Sequence, residues 1–209
     1  MKVLNLYAGI GGNRKLWQDV EVTAVEWDEE TAKVYMDYFP NDTMIVGDAH
    51  QYLLDHYKEF DFIWSSPPCP SHSEMRRCGT YRGQQDAIYP DMDLYQEIIL
   101  LQYYHRKDTK WVVENVNPYY EPLIQPTKKL HRHYYWSNFK IPNFDVDNDR
   151  THLGIGVNST VYGFNIYNSN IKNKVKALRN MVDPALGLHI LNAARNIITK
   201  SKTEQTTLF

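Results

Sequence analysis

An α/β sheet with a ligand-binding edge is the fold class this sequence predicts, and three observations predict it. Short apolar, β-branched runs alternate with helical stretches. The first run is followed at once by a glycine-rich turn. Four successive runs end in glycines, Glu26, Asp48 and Cys69, which places these groups on one edge, where open α/β sheets bind ligands.

The elements follow in order. Lys2 to Tyr7 reads as a buried strand, and Ala8-Gly9-Ile10-Gly11-Gly12 as a turn that lets the backbone approach a ligand closely. A helix is expected from Asn13 to about Asp19. AGIGG is neither the dinucleotide GxGxxG nor a phosphate loop, so it suits a nucleotide cofactor without specifying one, and a plain structural turn fits equally. Val22–Glu26 is the second strand. Glu26 is placed to accept from ribose hydroxyls, Trp27 to stack on an adenine, and Asp28 to cap a helix over 29–39. Thr43–Val46 leads to Gly47-Asp48, where Asp48 could read an adenine amino group. A helix over 50–58 precedes the strand 60–64, which stops at Ser65-Ser66-Pro67-Pro68-Cys69-Pro70.

Prolines cannot donate to a sheet and each restricts the residue before it, so Cys69 is presented on a stiff loop at a strand end. A thiol there is a nucleophile if its surroundings favour the thiolate, and otherwise an incidental buried cysteine. Residues 71–90 read as a long polar loop carrying Arg76, Arg77 and Arg82. A helix over 92–105 and a strand over 110–116 follow, the latter carrying Glu114 and Asn115. Lys128 to Trp136 reads as one basic-aromatic strand, residues 141–172 as irregular and Asn-rich, and Pro184 to about Ile198 as a helix.

Composition narrows the class. Hydrophobic residues make up 43% of the 209 residues, enough for a core in one domain with at most a small appendage. No apolar run is long enough to span a bilayer and no signal peptide is evident, so a cytoplasmic location is expected. Cys69 and Cys78 alone make no disulfide framework, and with His72 they lack a fourth ligand, so no metal is expected. The net charge of −2 hides an acidic first third, about −7 over residues 1–70, and a basic remainder of about +5. That split suits a small-molecule half followed by a half facing a polyanion.

Taken together, NLYAGIGG, EWD, GD, SPPCP, ENV, the YYWSN block and the late N-x-V-x-P resemble the DNA cytosine-5 methyltransferase family, in a short phage- or prophage-like form. The resemblance runs from Asn5 to about Ile198. It implies a Rossmann-like S-adenosylmethionine domain over 1–140, a very short target-recognition region over 141–176, a helix over 177–199 that completes the catalytic domain, and a flexible tail over 200–209. It further implies that Tyr7, Ala8, Gly9, Gly11, Gly12, Glu26, Trp27, Asp48, Pro67 and Asn180 hold S-adenosylmethionine. Cys69 would be the nucleophile, with Glu114 and Asn115 holding the target ring and Arg132 stabilising charge on it. The family's paired arginines align with His131 and His133, which leaves open whether Arg132 or a histidine takes that role.

Arg76, Arg77, Arg82, Lys172 and Lys174 are the candidate DNA contacts. The partner expected is double-stranded DNA in a bacterial host cell, bound by a monomer and read over about two to four bases. A cytosine-5 enzyme acting on tRNA, or a binding module without catalysis, are the competing readings. The final Gln205-Thr206-Thr207-Leu208-Phe209 resembles the pentapeptides that dock on a bacterial sliding clamp, with Gln205, Leu208 and Phe209 as the anchors.

Overall fold

The computed structural model describes residues 1–144 and 160–197. The expected clamp-docking tail and the middle of the target-recognition region lie outside the described residues. The strands are β1 (Lys2–Leu6), β2 (Glu21–Glu26), β3 (Thr43–Val46), β4 (Phe62–Ser65), β5 (Lys110–Val116), β6 (Lys128–Leu130) and β7 (His133–Ser137). The helices are α1 (Glu29–Tyr38), α2 (Ala49–His56), α3 (Glu74–Tyr81), α4 (Asp93–Tyr104), α5 (Lys174–Arg179) and α6 (Pro184–Ala194).

The strands form a seven-stranded sheet in the order β3-β2-β1-β4-β5-β7-β6. The first five are parallel, and β7 runs antiparallel to β5. The chain steps outward from β1 to β2 and β3, then crosses back to β4 and β5. The order therefore reverses between β1 and β4, which opens a crevice at their carboxyl ends.

Alternation along β1 divides the core in two. Val3 joins Phe62, Trp64 and Val112 on one face, where Leu186, Ile190, Leu191 and Ala194 of α6 cover them. Leu4 and Leu6 join Ile63 and Val113 on the other, under Leu53 of α2 and Leu94, Ile98 and Leu101 of α4. A third cluster joins Phe164, Ile166, Ile171 and Leu178 to Ile10 and Val34. The described part of the expected target-recognition region thus packs against α1, and Tyr38 hydrogen-bonds both N and O of Asn165.

Four local expectations are corrected. Residues 13–19 form turns rather than a helix. Asn13 is held in a buried amide pair with Asn5, and the backbone of Asn13 lies so close to Gly187 that a Cβ there would sit 2.3 Å from its carbonyl oxygen. Helix α6 occupies the space a crossover helix would need, and Trp17 fills what is left against Phe62 and Trp64. The loop expected over 71–90 contains α3, which Ser73 caps by accepting from Arg76 N. The single strand over 128–136 is a hairpin, β6 and β7, turning at His131 and Arg132 with His131 in the left-handed region. The helix expected over 177–199 is broken in two: α5, which carries Lys174, ends at Arg179, and α6 starts at Pro184.

Candidate active site

The carboxyl ends of the parallel strands bring several of the groups the sequence pointed to onto one edge of the sheet. After β1 the chain turns through Tyr7 and Gly9, both at φ 55°. Glu26, at the end of β2, buttresses this turn: its Oε2 accepts from Gly9 N at 2.9 Å and its Oε1 from Asp28 N at 3.0 Å. Trp27 beside it is 74% exposed, which leaves most of the indole open to a stacking ligand. Asp48 caps α2, accepting from His50 N at 2.9 Å on Oδ1.

The glycines divide by role. A Cβ on Gly9 or Gly47 would meet nothing within 4 Å, so both border open space. A Cβ on Gly11 would strike Phe39, and one on Gly12 would come within 2.6 Å of Val182 O. Those two serve close packing within the protein. Gly12 is also what brings the Asn180–Pro184 segment to the turn. Asn180 itself is exposed at the end of α5.

Beneath the crevice lies a group the sequence did not reveal. Glu97 of α4 is 1% exposed and accepts from Tyr7 OH at 2.6 Å and Ser65 Oγ at 2.5 Å, with His50 Nδ1 at 3.1 Å. It ties the ends of β1, β4 and the start of α2 to one carboxylate. Tyr7, expected to lie against the cofactor, therefore also anchors the turn through its hydroxyl. An acidic residue in the apolar stripe of Leu94, Ile98 and Leu101 is the sign that could have found it.

Cys69 is half-buried on the loop after β4. Burial and then the Glu114 carboxylate push its thiol up, while Lys176 and Arg132 pull in the other direction. Glu114 is 7% exposed at the middle of the β5–β7 pairing, where Ser66 Oγ donates to its Oε2 at 2.7 Å. Asn115 uses both ends of its amide within the protein: Nδ2 donates to Pro67 O at 2.9 Å, and Oδ1 accepts from Val116 N. It was expected to hold the target ring; here it clamps the Pro-Pro-Cys loop to β5. Arg132 stands at the hairpin tip, exposed.

The expected DNA contacts separate as well. Arg76 bonds Gln85 and Asp86 O and folds its own loop. Arg77 is paired with Glu74. Arg82 has no side-chain partner among the described residues and stays available at the end of α3. Lys172 lies near enough to Asp28 to help hold that carboxyl below the usual range, behind its bonds from Thr31. Lys174 opens α5, half-buried.

The family described as C-5 cytosine-specific DNA methylase matches residues 1–122, more than half of the chain. The chain belongs to this family. No curated protein matches. Among solved structures, the Entamoeba histolytica methyltransferase EhMeth is 16% identical, with 56% of this chain and 38% of that one covered at a TM-score of 0.37. A mutant of DNMT2 from Spodoptera frugiperda is 23% identical, with 56% and 35% covered at 0.37. The chain thus spans well under half of either protein, and at such scores the likeness adds nothing to the family match.

The Rossmann-like methyltransferase fold and the family together make S-adenosylmethionine the cofactor. The crevice fits it: the space beside Gly9 and Gly47, the exposed Trp27 and the strand-end Glu26 and Asp48 supply room, a stacking face and acceptors for a nucleoside. Among the described residues no helix is long and apolar enough to cross a membrane.

Proposed function

We propose that the chain transfers a methyl group to carbon 5 of a cytosine in double-stranded DNA through a covalent adduct on Cys69. The observation that carries this reading is the junction of two loops. The Pro-Pro-Cys loop and the Glu114 strand end are joined by Ser66 to Glu114 and by Asn115 to Pro67, so nucleophile and acid are held as one rigid unit.

The chemistry requires such a unit. Carbon 5 of cytosine is too weak a nucleophile by itself. Cys69 gives its thiol proton to water as its sulfur adds to carbon 6 and makes the ring an enamine, and Glu114 relieves the charge that builds at nitrogen 3 by giving it a proton. S-adenosylmethionine, when bound, supplies the electrophilic methyl. Carbon 5 takes the methyl and gives its proton to water, the carbon 6–sulfur bond breaks, and Cys69 leaves with that bond's electron pair and takes a proton back from water. Glu114 recovers its proton from nitrogen 3. These ring atoms are out of reach inside a duplex, so the base must turn out of the stack into the crevice. Arg82 at the end of α3 and Arg132 at the hairpin tip, both exposed, are the cations assigned here to the flanking phosphates.

Methyl transfer to duplex DNA should exceed transfer to tRNA, and Cys69→Ala should abolish it while cofactor binding by calorimetry stays intact. A DNA carrying 5-fluorocytosine should trap the wild type and not the variant. Full activity of Cys69→Ala would remove the mechanism, and transfer confined to tRNA would move the substrate to RNA.

A further inference from the structure

The two oxygens of Glu114 are not equivalent. Trp64 Nε1 donates to Ser66 Oγ at 2.8 Å, and Ser66 Oγ donates to Glu114 Oε2 at 2.7 Å. An indole N–H can only donate, so the serine oxygen is the acceptor at that end and its hydrogen points to Glu114. Oε2 is thereby kept as an acceptor, and a proton carried by this carboxyl sits on Oε1. Oε1 faces His133, whose Nε2 is 3.5 Å away. The strand pairing sets this: Glu114 is opposite Tyr135 and Val116 opposite His133, so His133 reaches Glu114 on the diagonal.

We propose that His133 is the proton-exchange partner of Glu114, so that Oε1 is the oxygen that presents a proton to the target base. The exchange breaks the Nε2–H bond and makes an Oε1–H bond, turning imidazolium and carboxylate into imidazole and carboxylic acid. No other reactant is needed. This deepens the reading of Glu114 as the acid and rests on it. His133 acts through Glu114 and is a positioning residue in that sense.

The groups facing His133 suit an exchanging pair. Burial is the main influence and favours the neutral imidazole, Glu114 on β5 opposes it, and Arg132 and His131 on its own hairpin reinforce it. The Cys69 thiol responds to the same Glu114 carboxylate from the opposite loop. Tyr135, next but one along β7, keeps its proton because it is buried beside Glu114, and its hydroxyl has no hydrogen-bond partner among the described residues. A separation of 3.5 Å fits a contact that tightens when substrate enters, as catalytic hydrogen bonds often do. An arginine here would hold charge permanently and could exchange nothing. Arg132, the other candidate for the basic role, is carried to the hairpin tip, where its carbonyl accepts from Asn117 N.

The test uses the full chain with its histidine rings labelled for NMR. The titration midpoint of His133 should fall by about one unit in Glu114→Gln, because the carboxylate that favours the imidazolium is gone. An unmoved midpoint overturns the proposal, whatever the enzyme's substrate. In methyl transfer, His133→Gln should lower the rate about tenfold on the acid side, where the wild-type ring carries its proton, and the two rates should converge as pH rises, with KM for the cofactor unchanged. A uniform loss at every pH would mark a merely structural histidine and overturn the proposal. If the wild type transfers no methyl group to any nucleic acid, the proposed function fails while the NMR midpoint still decides the pairing.

Discussion

Glu26 has both carboxylate oxygens engaged by backbone N–H groups, from Gly9 and from Asp28, and each oxygen keeps a lone pair for a ribose hydroxyl. Glu26→Ala should weaken S-adenosylmethionine binding by about 1–3 kcal/mol, measured by calorimetry on a folded variant. At Cys69 the sign of the electrostatics gives a second expectation. Because burial and the Glu114 carboxylate hold the thiol up, iodoacetamide should label Cys69 slowly near neutral pH in a Cys78→Ser background. Adding Glu114→Gln removes one of the two causes and should speed the labelling; slower labelling would contradict it. Single residues were legible where they end a strand, as Glu26, Asp48 and Cys69 do, because the end of an apolar run is visible in one pass along the chain. Glu97 and Ser66 were not. Their meaning comes from partners 32 and 48 residues away, which no local pattern contains.

Elements were read well where one periodicity ran unbroken. The five parallel strands and α1, α2 and α4 fall within a few residues of expectation. They failed where tertiary contact overrode local preference. Residues 13–19 have the composition of a helix, yet α6 claims the surface of β1 first, with Gly187 against the Asn13 backbone. Gly187→Ala should therefore cost more than the usual overpacking penalty of about 1–3 kcal/mol, since the clash is with backbone and cannot be relieved by a rotamer change. Urea denaturation checks this, and a neutral result would mean α6 is not seated as described. The basic-aromatic block was misread for another reason. Two-residue turns with neither glycine nor asparagine, here His131-Arg132, carry no sequence mark of a reversal.

For the molecule as a whole, the buried Glu97 cluster links stability to pH. His50 is raised to about 9, chiefly by its hydrogen bond to Glu97. Its contribution is fully present below the unfolded value, about 6.5, and is lost as pH rises through about 9. Thermal melting should thus decline over that window, and His50→Gln should flatten the decline. Equal slopes in both proteins would remove His50 from the account.

The placement of α6 also sets an order of events during synthesis. Trp64, Phe62 and Val3 have part of their cover on one face supplied by residues 186–194, beside Trp17, Tyr35 and Ile141, while the other face is covered by α2 and α4, both made earlier. A nascent chain that has released only its first 180 residues from the ribosome carries every strand of the sheet but leaves bare the apolar surface that α6 covers. Val182, just ahead of that helix, abuts Gly12 at the turn beside the cofactor crevice. Stalled or truncated products should thus be sticky, chaperone-bound and unable to retain S-adenosylmethionine, so that no partly made copy competes for the methyl donor.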